Sequence, residues 1–71
     1  MIDEKLMRHI PKRIQPMIIE CYSDSDGYWA ACPRGWHFAN TDCHTAHGFT
    51  IAEFLDDVRS IQEVDYEKDW D

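Results

Sequence analysis

Met17-Ile18-Ile19-Glu20-Cys21-Tyr22, then Ser23-Asp24-Ser25-Asp26-Gly27, then Tyr28-Trp29-Ala30-Ala31-Cys32 is the stretch whose reading decides the fold. Two short β-favouring runs flank an Asp-Gly pair, the combination that reverses a chain tightly. Glycine accepts a positive φ, and aspartate bonds its own backbone. The serines and Asp24 ahead of Asp26-Gly27 predict a loop longer than two residues. The first run, from Ile14 to Tyr22, is too continuously apolar for a strand with one wet face. The second stops at Pro33, which has no N–H to give a ladder. Arg34-Gly35 turns the chain again, and Trp36-His37-Phe38-Ala39-Asn40-Thr41 alternates as a third strand, with Trp36 and Phe38 on one face.

Downstream, Thr50-Ile51-Ala52-Glu53 has the form of a capping box, a hydroxyl cap with an acid three residues on. Ile51, Phe54, Leu55, Val58 and Ile61 follow at helical spacing and form a core-facing stripe, with Asp56, Asp57 and Arg59 off it. Between the third run and this helix, Asp42 to Phe49 reads either as a prolonged strand or as a loop. Upstream, Ile2, Leu6, Met7 and Ile10 fall on one helical face before Pro11, so residues 1–13 form a short helix or an arm. The expected fold is α+β: a small three-stranded antiparallel sheet packed by one C-terminal helix, β-β-β-α. Residues 1–71 make a single domain, and 63–71 are an acidic tail.

Seventy-one residues bury little core, and chains of this size often depend on a staple, a metal or a partner. Three cysteines, Cys21, Cys32 and Cys43, on a chain whose first residues lack an export signal argue for reduced thiols and the cytoplasm. No apolar run reaches the roughly 20 residues that cross a bilayer. The net charge of −7 is uneven: residues 14–71 hold three bases against twelve acids, whereas 1–13 are net basic. Such a surface repels phosphate backbones and draws in basic proteins. The plain alternative is that the acids serve solubility. In the tail, Tyr66 and Trp70 lie among Glu63, Asp65, Glu67 and Asp69. That reads either as a frayed, solvated end or as a docking arm with rings as anchors and carboxylates as guides.

Cys32, His37, Cys43, His44 and His47 are zinc's preferred ligand types, at the spacing Cys-x4-His-x5-Cys-His-x2-His. They lack a Cys-x2-Cys knuckle, so cysteines packed as small hydrophobes with rim histidines are the stronger account. Cys43 and His44 are adjacent and would point to opposite faces of a strand, which does not make a nucleophile and its base. No oxyanion device is visible, and an enzyme is not expected. Asp24-x-Asp26-Gly27 resembles the opening of a calcium loop, but Gly35 stands where the closing glutamate belongs. Tyr28, Trp29, Trp36 and Phe38 would suit an RNA-stacking sheet, except that only Arg34 among nearby residues is basic.

Ile18-Ile19, Asp26-Gly27-Tyr28-Trp29, Pro33, Gly35 and Thr50-Ile51-Ala52-Glu53-Phe54-Leu55 together resemble the N-terminal domain of HicB-type antitoxins over about 45 residues. The resemblance implies a β-β-β-α module that covers a small basic RNA-cutting toxin. Trp36 follows Gly35 where that family places cysteine, and these residues are not expected to include a DNA-binding domain. Charge alone fits a second class, phage-type inhibitors such as DNA mimics and anti-CRISPR proteins, with carboxylates imitating a phosphate track. The expected function is therefore inhibition of a basic nuclease, toxin or CRISPR effector. The expected contacts are Asp56, Asp57, Glu63, Asp65, Tyr66, Glu67, Asp69 and Trp70, without a cofactor, nucleic acid or membrane. The alternatives are a zinc-stapled domain held by Cys32, His37, Cys43 and His47, or an RNA-binding sheet. An exposed edge strand would also allow a homodimer.

Overall fold

The computed structural model describes residues 1–64, so the expectations for Asp65, Tyr66, Glu67, Asp69 and Trp70 lie outside the described residues. It is a small α+β fold of antiparallel strands and helices: α1 (Glu4–Met7), a 3-10 turn (Gln15–Met17), β1 (Glu20–Asp24), β2 (Gly27–Ala31), β3 (Trp36–Phe38), β4 (Thr45–Gly48), α2 (Ile51–Arg59) and β5 (Ile61–Glu63). The strands form two sheets rather than one. The larger has the order β1-β2-β4, and β3 pairs with β5 in the smaller.

The hairpin is tighter than its sequence suggests. Asp24 pairs with Gly27, which leaves only Ser25-Asp26 as the loop. Asp24 itself closes the turn, because its Oδ1 accepts the Asp26 N–H at 2.8 Å. Gly27 takes φ +124°, and a Cβ there would strike the Gly48 carbonyl and approach His47 Nε2 at 2.9 Å. Glycine thus serves both the turn and the strand opposite.

The first strand begins only at Glu20, six residues into the apolar run that starts at Ile14. Gln15 ties the approach down by donating its amide to the carbonyls of Met7 (3.1 Å) and Ile10 (2.8 Å). Pro16 then favours the 3-10 turn, whose early N–H groups need no partner. Leu6, Ile10, Ile14 and Ile18 all bury their side chains along this path, so the N-terminal segment is part of the core. Its helix is short and capped by Asp3, whose carboxylate accepts from Lys5 and Leu6 N–H. Residues 1–3 also run beside β1, where Asp3 N–H donates to the Cys21 carbonyl and Cys21 N–H to that of Met1. That partly covers one sheet edge, the place where strand addition would otherwise occur.

The third strand of the main sheet is β4, not the Trp36 run. Ala46 lies opposite Ala30, which in turn lies opposite Cys21. These three small, fully buried residues make a flat inner face on which α2 sits closely. Phe54 and Val58 of α2 are fully buried, and Phe54 meets the Tyr28 ring at 6.1 Å. Trp36–Phe38 instead pairs with Ile61–Glu63, with Phe38 opposite Ile61.

Helix α2 starts where its capping box predicts. Thr50 Oγ1 accepts the Glu53 N–H at 3.1 Å and donates to Glu53 Oε1 at 3.2 Å. Such a cap contributes about 1 kcal/mol. The helix stops at Arg59 rather than running through Ile61. Ser60 caps it, with its N–H shared between the carbonyls of Asp57 and Val58. Ile61 keeps its contact with the core from strand β5. Glu63 is accordingly the last residue of a strand, paired with Trp36, and not the first of a tail. Among the described residues no helix is long and apolar enough to cross a membrane.

Candidate functional site

Every buried residue among those described is apolar, so charge is confined to the surface. Glu20, Asp24 and Asp26 are exposed on β1 and the hairpin loop, Glu53 and Asp56 on α2, and Glu63 on β5. Asp42, at φ 51°, is also exposed, in the left-handed conformation that a short polar side chain tolerates. Among the described residues its one contact with a basic side chain is with the imidazole of His37, Nδ1 at 3.6 Å. Among the described residues no carboxylate is paired with a lysine or arginine.

The two helix acids behave differently. Asp56 points into solvent and receives a long contact from Asn40 Nδ2 at 3.4 Å. Asp57 is half-buried: Oδ1 faces the same Asn40 amide at 3.4 Å, and Oδ2 accepts the His47 N–H at 3.5 Å. Asp57 therefore links α2 to β4 and to the chain after β3. Asp56 is the freer of the two for a partner.

The zinc candidates do not converge. Cys32 Sγ lies 3.9 Å from His44 Nδ1. His37 accepts the Gln62 amide at Nε2 (2.9 Å), which leaves its proton on Nδ1 facing Asp42. Cys43 is engaged in its own turn with Thr41 and Thr45. His47 stands on the far side of the main sheet, where Nε2–H donates to the Asp26 carbonyl at 2.7 Å. Among the described residues no three His, Cys, Asp or Glu side chains gather as a metal site. A hollow of about 150 Å³ between α1, the hairpin and the start of α2 is lined by Leu6, Tyr28 and Ile51. That is well below the roughly 300 Å³ at which small-molecule pockets begin.

All three thiols are free, with Cys21 and Cys32 buried and Cys43 exposed. Burial, helped by the nearby Asp3 carboxylate, pushes the Cys21 thiol up to about 11. Burial raises Cys32 too, against an opposing backbone hydrogen bond. Since the thiolate is the reactive form, Ellman's reagent at pH 8 is expected to label one thiol per folded chain at once, and three after unfolding. Rapid labelling of all three in the folded protein would contradict the buried placement of Cys21 and Cys32.

The aromatic residues divide between two faces. Phe38 is fully buried, Trp36 and Tyr28 pack against the core, and Trp29 points the other way. On that outer face Tyr22, Trp29 and His47 are direct cross-strand partners. Tyr22 and Trp29 lie nearly parallel with centroids 6.5 Å apart, and Trp29 and His47 meet at 4.1 Å. Phe49 extends the row edge-on to His47 at 4.8 Å and is 73% exposed. Asp24 Oδ1 accepts the Trp29 indole N–H at 3.0 Å and fixes the ring. The sequence reading named Trp29 but missed Tyr22, His47 and Phe49 as its neighbours. Counting outward from a Ser25-Asp26 loop pairs Tyr22 with Trp29, whereas His47 enters only once β4 is known to be a strand. The chain matches no family model, no curated protein and no solved structure.

Proposed function

We propose that this protein is a small acidic binding protein of the cytoplasm that inhibits a basic, nucleic-acid-binding partner by covering its cationic surface. The observation that carries this reading is the set of exposed carboxylates with no lysine or arginine partner within the described chain. Carboxylates that serve the fold alone are usually held by bonds, as Asp3 and Asp57 are here. Among the described residues the carboxylates of Glu20, Asp26 and Glu63 accept no hydrogen bond and that of Asp56 only the long contact from Asn40, and their fields add over the surface. A toxin, a nuclease or a CRISPR effector would each present the complementary charge. The antitoxin form of the proposal rests on the residue resemblance alone, and the phage-inhibitor form on charge.

Capture of the partner followed by a salt titration tests the reading. Affinity is expected to fall steadily as ionic strength rises, since exposed charges are screened within about 10 Å at 0.1 M salt. The paired reversals Asp26→Lys and Asp56→Lys are expected to weaken binding about tenfold, or roughly 1.4 kcal/mol, with the thermal melt nearly unchanged. Asp57 is unsuitable for this test because its carboxylate also bonds β4. An affinity indifferent to salt would remove the electrostatic basis of the proposal.

A further inference from the structure

We infer that the outer face of the main sheet, the row Tyr22-Trp29-His47-Phe49 with Asp24 beside it, is a docking surface for arginine side chains of a basic protein partner. The inference deepens the proposed function and rests on it, since it locates where such a partner is gripped. Both helices and the N-terminal core residues pack on the opposite, inner face, where Cys21, Ala30 and Ala46 are sealed. Tyr22, Trp29 and His47 are partly exposed and Phe49 largely so, and among the described residues the rings contact one another and the Trp29 indole bonds Asp24.

The chemistry of the row selects the occupant. Nearly parallel rings of tyrosine and tryptophan offer electron-rich faces, and a guanidinium is the flat, weakly hydrated cation that lies on such faces. Asp24 uses one oxygen for its internal bonds: Oδ1 accepts from both Asp26 N–H and the Trp29 indole. No bond to Oδ2 is present among the described residues, and it lies next to the ring that the guanidinium would cover. Glu20, one step along β1 on the same face as Tyr22, adds a second carboxylate at the rim. The ring positions are also fixed before binding, Trp29 by Asp24 and His47 by the Asp26 carbonyl. Little side-chain entropy remains to be lost on contact.

Rows of rings on a sheet also stack nucleic-acid bases. Here the flanking groups are carboxylates, which repel phosphates, and no lysine or arginine lies in strands β1, β2 or β4. The occupant that satisfies both rings and rim is cationic.

The test uses the full chain with two octapeptides of equal charge, one built on arginine and one on lysine, and an oligouridylate. Binding is followed by NMR shifts of the aromatic rings and by titration. The arginine peptide is expected to shift the Tyr22, Trp29, His47 and Phe49 resonances and to bind several-fold more tightly than the lysine peptide. Trp29→Ala is expected to cost about tenfold in arginine-peptide affinity, and Trp29→Phe less than threefold. Asp24→Asn, which keeps the bond from the indole, is expected to cost about fivefold through loss of charge. Circular dichroism melts of all three variants check that the fold persists. Equal binding of both peptides with shifts on α2 rather than the ring row would overturn the inference and leave the proposed function standing. Failure of both peptides to bind at low salt would count against the two together. Preferential binding of the oligouridylate to the ring row would replace the arginine assignment with a nucleic-acid one.

Discussion

Gly48→Ala is expected to destabilise the protein by about 3 kcal/mol or more, at the upper end of overpacking costs. The whole domain is expected to have roughly 4–10 kcal/mol of stability, so the variant would melt about 12–24 °C lower or fail to accumulate folded. The cause is closeness of approach, not backbone conformation. A Cβ on Gly48 would run into the Phe54 backbone nitrogen and lie 2.6 Å from Phe54 Cα and 2.8 Å from the Glu53 carbonyl carbon. These are main-chain atoms of α2, and no rotamer change can move them aside. The helix would have to lift from β4, uncovering Ala46 and Val58, both fully buried. A thermal melt checks the size of the effect. The double variant Gly48→Ala/Phe54→Ala separates the cause, because trimming the Phe54 side chain leaves the offending backbone in place. Rescue by that second substitution would show that α2 does not sit on β4 as described.

Phe38→Ala comes next in size, at about 3–5 kcal/mol for deleting a buried phenyl ring. Phe38 is fully buried in β3, opposite Ile61 of β5. Its backbone is a junction as well: the N–H donates to Cys43 at 2.8 Å, and the carbonyl accepts from Thr41 and from Asp42. Losing the ring removes the one fully buried side chain of the two-stranded sheet, leaving the partly buried Trp36 and Ile61 against the core. Urea unfolding followed by both tryptophan fluorescence and circular dichroism is expected to remain one coincident transition with a lower midpoint. Two separated transitions would mean that the small sheet unfolds by itself. Trp36→Ala, at a half-buried position on the same strand, is expected to cost clearly less.

The parts of the fold that were legible are those fixed by local chemistry. Thr50 and Glu53 announce the start of α2, and the spacing of Phe54 and Val58 gives its buried side. The hairpin follows from Asp26-Gly27, although the use of Asp24 as the closing acceptor shortened the loop relative to expectation. What escaped the reading depends on contacts between distant residues. Thr45-Ala46-His47-Gly48 has little of the β-branched or aromatic character that marks strands. It is a strand because Ala46 and Gly48 are small enough to lie beneath α2. Of the run Trp36 to Thr41 only Trp36–Phe38 is a strand, because the chain turns at once as Thr41 and Asp42 N–H donate to the Phe38 carbonyl; its partner is β5, whose first residue, Ile61, helical spacing had placed in α2. Of the candidate contact residues, Asp56 and Glu63 are exposed as expected, whereas Asp57 is committed to holding β4. The ring row was hidden because it is assembled from three strands, and its third member belongs to the strand the sequence did not announce.

The pairing of β3 with β5 has a kinetic consequence. Trp36 meets Glu63, and Val64 N–H donates to Gly35, across an intervening segment that contains β4 and all of α2. Closing so long a loop carries an entropic cost that only a formed helix and sheet can shorten. The hairpin β1–β2, closed by a two-residue loop, has no such delay. Folding should therefore proceed from the hairpin through the docking of β4 and α2, with the three residues of β5 zipping on last. In the native protein the same strand should be the first to open, and its amide hydrogens the quickest of any strand's to exchange with solvent.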